Sequence, residues 1–161
     1  MGKILTKSGL LLLFALFLVS CNEDGCTETT DVNMNVNFYS ASTRNAFTID
    51  TLSVLGIGQP KDSLLYDKST SVKTIALPLH INDSTTAYLL KYGKSNGASV
   101  ALTDTIRVFH QNRSQFISKE CGCSVFATID SVRFTRHRLD TVVVVNREIT
   151  NQYTEHVQIL F

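Results

Sequence analysis

The chain has 161 residues, with 15 Lys and Arg against 14 Asp and Glu, 43% hydrophobic residues, four Cys and no Trp. That length supplies one domain with a core of its own, and the near-zero charge argues against the basic stripe that a nucleic-acid partner needs. No internal repeat and no low-complexity segment interrupts it. Lys3 and Lys7 make a short positive opening, and Leu10 to Val19 is an uncharged run of Leu, Phe, Ala and Val, ten residues long. Such a run has the length of a secretory hydrophobic segment and falls short of the roughly 20 residues of a bilayer span.

The run passes through Leu18-Val19-Ser20 directly into Cys21, the pattern read by the bacterial lipoprotein signal peptidase. Residues 1–20 are therefore expected to be removed, and Cys21 to become a lipidated first residue. A bacterial lipoprotein carries a diacylglyceryl thioether on this Cys and usually a third acyl chain on its amine, and two or more chains anchor stably. The expected location is a membrane, the outer membrane, with the domain facing either the periplasm or the cell exterior. Losing Lys3 and Lys7 leaves 13 basic against 14 acidic side chains.

Asn22 to Thr30 is polar and acidic, so residues 21–30 read as the lipidated Cys with its tether and residues 31–161 as a single domain. The pair Glu23-Asp24 also resembles the export signal that sends Bacteroidota lipoproteins to the outer face of the cell.

From there strand signals fill the chain. Val32, Met34, Val36 and Phe38 alternate with Asn33, Asn35 and Asn37, the period of a strand with one buried and one wet face. Further β-branched and aromatic runs lie at 47–57, 72–79, 85–92, 105–111, 115–119, 124–134, 141–146 and 156–161. Gly58-Gln59-Pro60, Asn82-Asp83-Ser84, Ser95-Asn96-Gly97 and Asn112-Arg113 punctuate them as turns. About nine short strands without a helical stripe predict an all-β, antiparallel two-sheet sandwich. Val142 to Val145 lacks alternation and reads as a central strand covered on both faces.

With Cys21 lipidated, Cys26, Cys121 and Cys123 remain, and an odd number in an oxidising compartment implies one bridge and one thiol over. Cys26 with Cys121 would close a long loop. Cys121 with Cys123 would close a short, strained and oxidising one, which is the thiol oxidoreductase alternative. Three Cys without a histidine at ligand spacing fit no structural zinc pattern, and no cofactor motif is present. Gly93-Lys94-Ser95 resembles the end of a phosphate loop, but Tyr88 stands where that loop requires its first glycine. His80, His110, His137 and His156 are scattered singly and read as surface or structural side chains. Arg133, Arg136, His137 and Arg138 are denser: they form either a solvated hairpin end or a rim for a phosphate or anionic sugar.

Asp followed by Ser or Thr and a residue suited to a strand occurs six times, and six of the nine aspartates sit in it. The acceptor positions are Thr51, Ser63, Ser84, Thr105, Ser131 and Thr141. The plainer reading is a side-chain turn that starts a strand. The pattern also resembles the O-glycosylation acceptor that Bacteroidota use on exported proteins.

Cys21 with Cys26, Asn37-Phe38-Tyr39, Leu55-Gly56-Ile57-Gly58, Asp62 to Tyr66, Leu77-Pro78-Leu79, Phe116 to Cys123 and His156 to Ile159 together resemble an uncharacterised Bacteroidota lipoprotein family, a domain of unknown function. Ile117 to Cys123 is the most specific block. The resemblance implies a small β-rich lipoprotein without assigned activity, favours Cys26 with Cys121 as the bridge and leaves Cys123 spare. It also implies a membrane-embedded partner. The expected function is thus a non-catalytic binding or scaffold module of the envelope, held to the membrane by lipid and meeting an outer-membrane protein or envelope glycan. The alternative is an envelope enzyme, either a thiol oxidoreductase using Cys121 and Cys123 or a glycan hydrolase with paired carboxylates.

Overall fold

A computed structural model describes residues 25–58, 62–93 and 102–161. The signal segment, Cys21, the acidic pair Glu23-Asp24, Lys94-Ser95 and the turns at Gln59-Pro60 and Ser95-Asn96-Gly97 lie outside these residues. The described residues form ten strands: β1 (Asn33–Tyr39), β2 (Ile49–Ile57), β3 (Ser63–Val72), β4 (Thr74–Pro78), β5 (Thr85–Tyr92), β6 (Thr103–Ser118), β7 (Gly122–Phe134), β8 (Thr141–Val144), β9 (Glu148–Ile149) and β10 (Val157–Leu160). They build an all-β sandwich of a four-stranded sheet, β4-β1-β10-β8, and a six-stranded sheet, β3-β2-β5-β6-β7-β9. Most neighbours are antiparallel; β1 and β10 run parallel, with Val36 opposite Val157.

The core follows the period of two. Met34, Val36 and Phe38 from β1 face Leu52, Val54, Tyr88, Leu90, Ile106 and Val108 from the other sheet, all essentially inaccessible. Phe161 closes one end, stacked on Phe47 at 5.3 Å and edge-on to Tyr92 at 5.6 Å.

Three sequence expectations need correction, and one strand had no expectation at all. The Asn face of β1 is not wet: Asn35 is buried, and its side-chain amide donates to the Thr154 carbonyl at 2.9 Å. Val142 to Val145 is not a central strand, because β8 ends its sheet, its residues are half-buried and Val145 is exposed. Asn112-Arg113 is not a turn; β6 runs straight through it, with Asn112 opposite Ala127. Residues 63–71 carry no strand signal in the sequence, yet with Val72 they form the edge strand β3, and the run at 72–79 divides between the end of β3 and β4.

That edge is modified in ways that discourage pairing with another chain. Register shifts interrupt β2–β3, and Lys68 and Ser71 adopt positive φ of 45° and 55°. Tyr66 on β3 reaches the other sheet, where its hydroxyl accepts from the Ala76 N–H at 2.9 Å and donates to the Ala76 carbonyl at 3.3 Å. Both groups of an edge residue on β4 are thereby satisfied.

Gly93 is explained by packing: a Cβ there would lie 2.6 Å from Cβ of Thr51, and its N–H donates to the Thr51 carbonyl at 2.8 Å. Any larger residue would push the end of β5 off β2.

Candidate functional site

β4 stops at Pro78, and residues 79–84 cross to β5 as a loop held from beneath by one side chain. Asn112 sits on the inward-facing row of β6 with Asp104, Ile106, Val108 and His110. Its amide nitrogen lies 2.7, 3.0 and 2.9 Å from the carbonyls of His80, Ile81 and Asp83, so two N–H donors serve three acceptors. Its oxygen is then left to accept from Nδ1 of His110 at 2.9 Å. That assignment makes Nε2 of His110 an acceptor for the Thr86 hydroxyl at 2.9 Å, whose oxygen receives the His80 N–H at 2.9 Å. His110 is fully buried, and burial holds its pKa below the ordinary range despite its hydrogen bond to Asn112. Burial thus favours the neutral ring, in which this donor and acceptor assignment holds.

Two clefts flank this loop and share Pro78, Leu79 and Ile81. One, of about 290 Å³, continues over Leu65, Thr86 and Tyr88. The other, of about 400 Å³, continues over Asp31, Val125 and Ile149. Ile81 stands between them, 62% exposed. A third cleft of about 190 Å³ joins Asp31 and Asn35 to Gln152 and the exposed Tyr153. Asp31 is the one carboxylate in these three linings, so none of them contains the pair, about 5 to 9.5 Å apart, that glycoside hydrolysis uses. Among the described residues no group of three His, Cys, Asp or Glu is placed to hold a metal ion, and no helix is long and apolar enough to cross a membrane.

The other sequence candidates fall at separate places. Cys26 is bonded to Cys121 at the turn between β6 and β7, with Cα atoms 4.7 Å apart, and Cys123 is an exposed free thiol. The Cys121–Cys123 pairing is thus not the one formed.

His156 is buried between β1 and β8, where Nδ1 accepts the Asn35 N–H at 3.0 Å and Nε2 contacts the Thr154 hydroxyl at 3.2 Å. Burial lowers its pKa. His80 lies 3.7 Å from Asp83. The basic cluster does not converge. Arg133 lies over Phe109 at 5.3 Å, Arg136 over Phe134 at 5.4 Å, and Arg138 over Tyr92 at 4.9 Å. His137 stands 3.3 Å from Asp104.

Of the acceptor positions, Ser63, Ser84 and Ser131 are exposed, while Thr51, Thr105 and Thr141 are half-buried. Ser63, Thr85 and Thr141 begin strands as the turn reading requires, but Ser131 lies inside β7 and Thr51 inside β2.

Asn112 was the residue that sequence reading missed. Asn112→Ala is expected to cost about 2 to 4 kcal/mol, since it strips three carbonyls and a buried imidazole of their partner. Urea melts should report the loss, and amide exchange should rise first at Ile81 to Ser84.

No curated protein and no solved structure matches the chain. Residues 51–161 match a family of unknown function, DUF6452, a span that runs from within β2 through β10 and includes Ile81 and Asn112 but not β1 or the Thr30–Asn33 side of the second cleft. The chain belongs to this family of unknown function.

Proposed function

We propose that this protein is an outer-membrane lipoprotein of the Bacteroidota type, acylated on Cys21, whose sandwich is a non-catalytic binding module for a partner protein of the envelope. The observation that carries the binding reading is Ile81, an exposed apolar side chain on a loop braced by Asn112 between two clefts. A fixed apolar point flanked by concave, mixed surface suits a complementary protein side chain. Glycan is the weaker fit, because the aromatic side chain in the cleft pair, Tyr88, is buried and offers no open ring face. The lipid reading is supported by the apolar run meeting Leu-Val-Ser-Cys.

A photo-crosslinking residue at Ile81, with one at Leu64 on β3 as a control of similar exposure, tests the binding module in cells. A discrete envelope-protein adduct formed from position 81 and not from 64 is expected. Equal labelling at both positions would sink the proposal, and an adduct to glycan would replace the partner class.

Intact mass spectrometry of the same preparations tests the modifications. Acyl mass on Cys21 should vanish in Cys21→Ala. If glycan is carried, Ser63, Ser84 and Ser131 are the acceptors best placed to bear it, and their joint replacement by Ala should return the mass to peptide plus lipid. Thr51 should contribute none, because it packs against Gly93.

A further inference from the structure

β5 follows β6 only as far as Phe109, and β9 meets β7 at Ala127 and Thr128. From Arg113 to Val125, β6 and β7 pair with each other alone within the sheet. This two-stranded ribbon carries its turn six residues past Asn112, about 20 Å at strand rise. The N-terminal segment joins it there: Cys26 is bonded to Cys121 in the turn, and Ser124 Oγ donates to the Thr30 carbonyl at 3.0 Å. The four residues from Asn22 to Gly25 separate Cys21 from this fixed point and reach about 15 Å at most. The ribbon's tip is therefore the part of the domain closest along the chain to the lipidation position.

At that tip Phe116 is 58% exposed, beside half-buried Ile117 and exposed Lys119 and Glu120. One exposed aromatic is ordinary on a protein surface. Here it sits on the same face as exposed Cys123 opposite it, on a ribbon whose other apolar side chains, Ile117 and Val125, are half-buried, and at the end to which the disulfide ties the N-terminal segment.

We propose that the β6–β7 tip is a second membrane contact, in which Phe116 and Ile117 enter the lipid interface while Lys119 extends its ammonium to the headgroups. The inference rests on acylation of Cys21. It goes further in giving the anchored domain a fixed posture. Acyl chains alone permit tumbling about the tether, whereas a bridged tip seated in the interface stands the ribbon on the membrane and sets the cleft pair around Ile81 away from it. The flexible stem of Lys119 fits such a position, with its methylenes along apolar surface and its charge in water.

The chain contains no Trp, so Phe116→Trp and Leu64→Trp each install a single tryptophan, excited apart from the five Tyr, at an exposed position. Both variants are prepared as the full acylated protein in vesicles of phosphatidylethanolamine and phosphatidylglycerol. Emission from Phe116→Trp should shift to shorter wavelength and be quenched by lipids brominated near the headgroup, while Leu64→Trp keeps its aqueous emission. Adding Cys26→Ser to Phe116→Trp should reduce the quenching by freeing the tip from the anchor. Acylated protein that floats with vesicles yet shows equal, aqueous emission at both positions would overturn the tip contact and leave the anchor intact. Protein without acyl mass that fails to float would overturn both. Crosslinking of Phe116 to a protein in place of bromolipid quenching would assign the tip to a protein partner and overturn the membrane contact.

Discussion

Asp104→Ala is expected to destabilise the domain by about 3 to 5 kcal/mol, the range for stripping a buried charged group from its partners. The carboxylate is 1% exposed near the start of β6. It accepts the N–H groups of His137, Arg138 and Leu139 at 2.7, 2.9 and 3.0 Å and the Thr135 hydroxyl at 2.9 Å. Residues 135–139 thus wrap around one side chain, and Ala would leave their donors facing a void. Asp104→Asn should cost less, since one acceptor oxygen remains. Chemical denaturation of the two variants side by side measures the difference, and equal midpoints to the parent would show that water replaces the carboxylate.

The same site and the buried histidines give acid unfolding a definite sign. Burial alone would raise the pKa of Asp104; the His137 and Arg138 amides, the Thr135 hydroxyl and the Leu139 amide outweigh it and hold the pKa below the ordinary value. Its contribution is fully present above the unfolded carboxyl pKa of about 3.9 and is lost as pH falls through the depressed folded value. His110 and His156 are also depressed, by burial. Their unfolded forms begin to take up protons near pH 6.5, about the unperturbed value, so stability should already decline below it. Melting temperature measured from pH 8 downward should fall in two stages, the first reduced in a His110→Asn variant that still folds.

Opening the Cys26–Cys121 bridge is the second large effect. The bond spans a sequence separation of 95, and the chain-entropy account assigns a loop of that size about 4 to 5 kcal/mol. Cys26→Ser with Cys121→Ser should therefore lower the melting temperature by about 10 °C or more. It should also expose residues 26–32 to protease, because the Ser124 and Asn151 hydrogen bonds to Thr30 and Thr29 would then hold that segment alone. A melting temperature within a degree or two of the parent would mean that the segment is held by packing. Titrated under denaturing, non-reducing conditions, the parent should give one thiol, Cys123, where Cys21 is acylated as proposed.

Much of the sandwich was legible because one face of each strand is apolar. Met34, Val36 and Phe38 announce β1, and Thr85 to Tyr92 announces β5 with its bounds intact. The failures came where polar residues face inward. Asp104, His110 and Asn112 occupy the same alternating row as Ile106 and Val108; read by period and not by residue type, that row runs unbroken through the place taken for a turn. Val142 to Val145 misled for the opposite reason: an edge strand flanked by loops can be half-covered on both faces without being central. β3 carries Asp67, Lys68, Ser69 and Ser71, too polar to read as a strand, because its role is to end a sheet. The cleft pair around Ile81 had no local signal, since Asn112 and the loop it braces lie about thirty residues apart and only the sheet brings them together.

The parallel pairing of β1 with β10 has a consequence for how the protein comes into being. Val36 meets Val157 and Phe38 meets Ile159 in the middle of the four-stranded sheet, so the first strand made has one of its two neighbours only after nearly all the others exist. A chain emerging from its N-terminus can form the β5–β6–β7 meander early, but β1 keeps an open, apolar edge until β10 has been synthesised. Contacts of that sequence span are slow to form, and the unfinished sheet is the sort of surface that aggregates or recruits chaperones. If the chain is exported, as the proposed lipoprotein reading requires, that delay also keeps it threadable: a protein unable to close its core during synthesis is one that can still pass through a narrow channel as an extended strand and complete its fold on the far side.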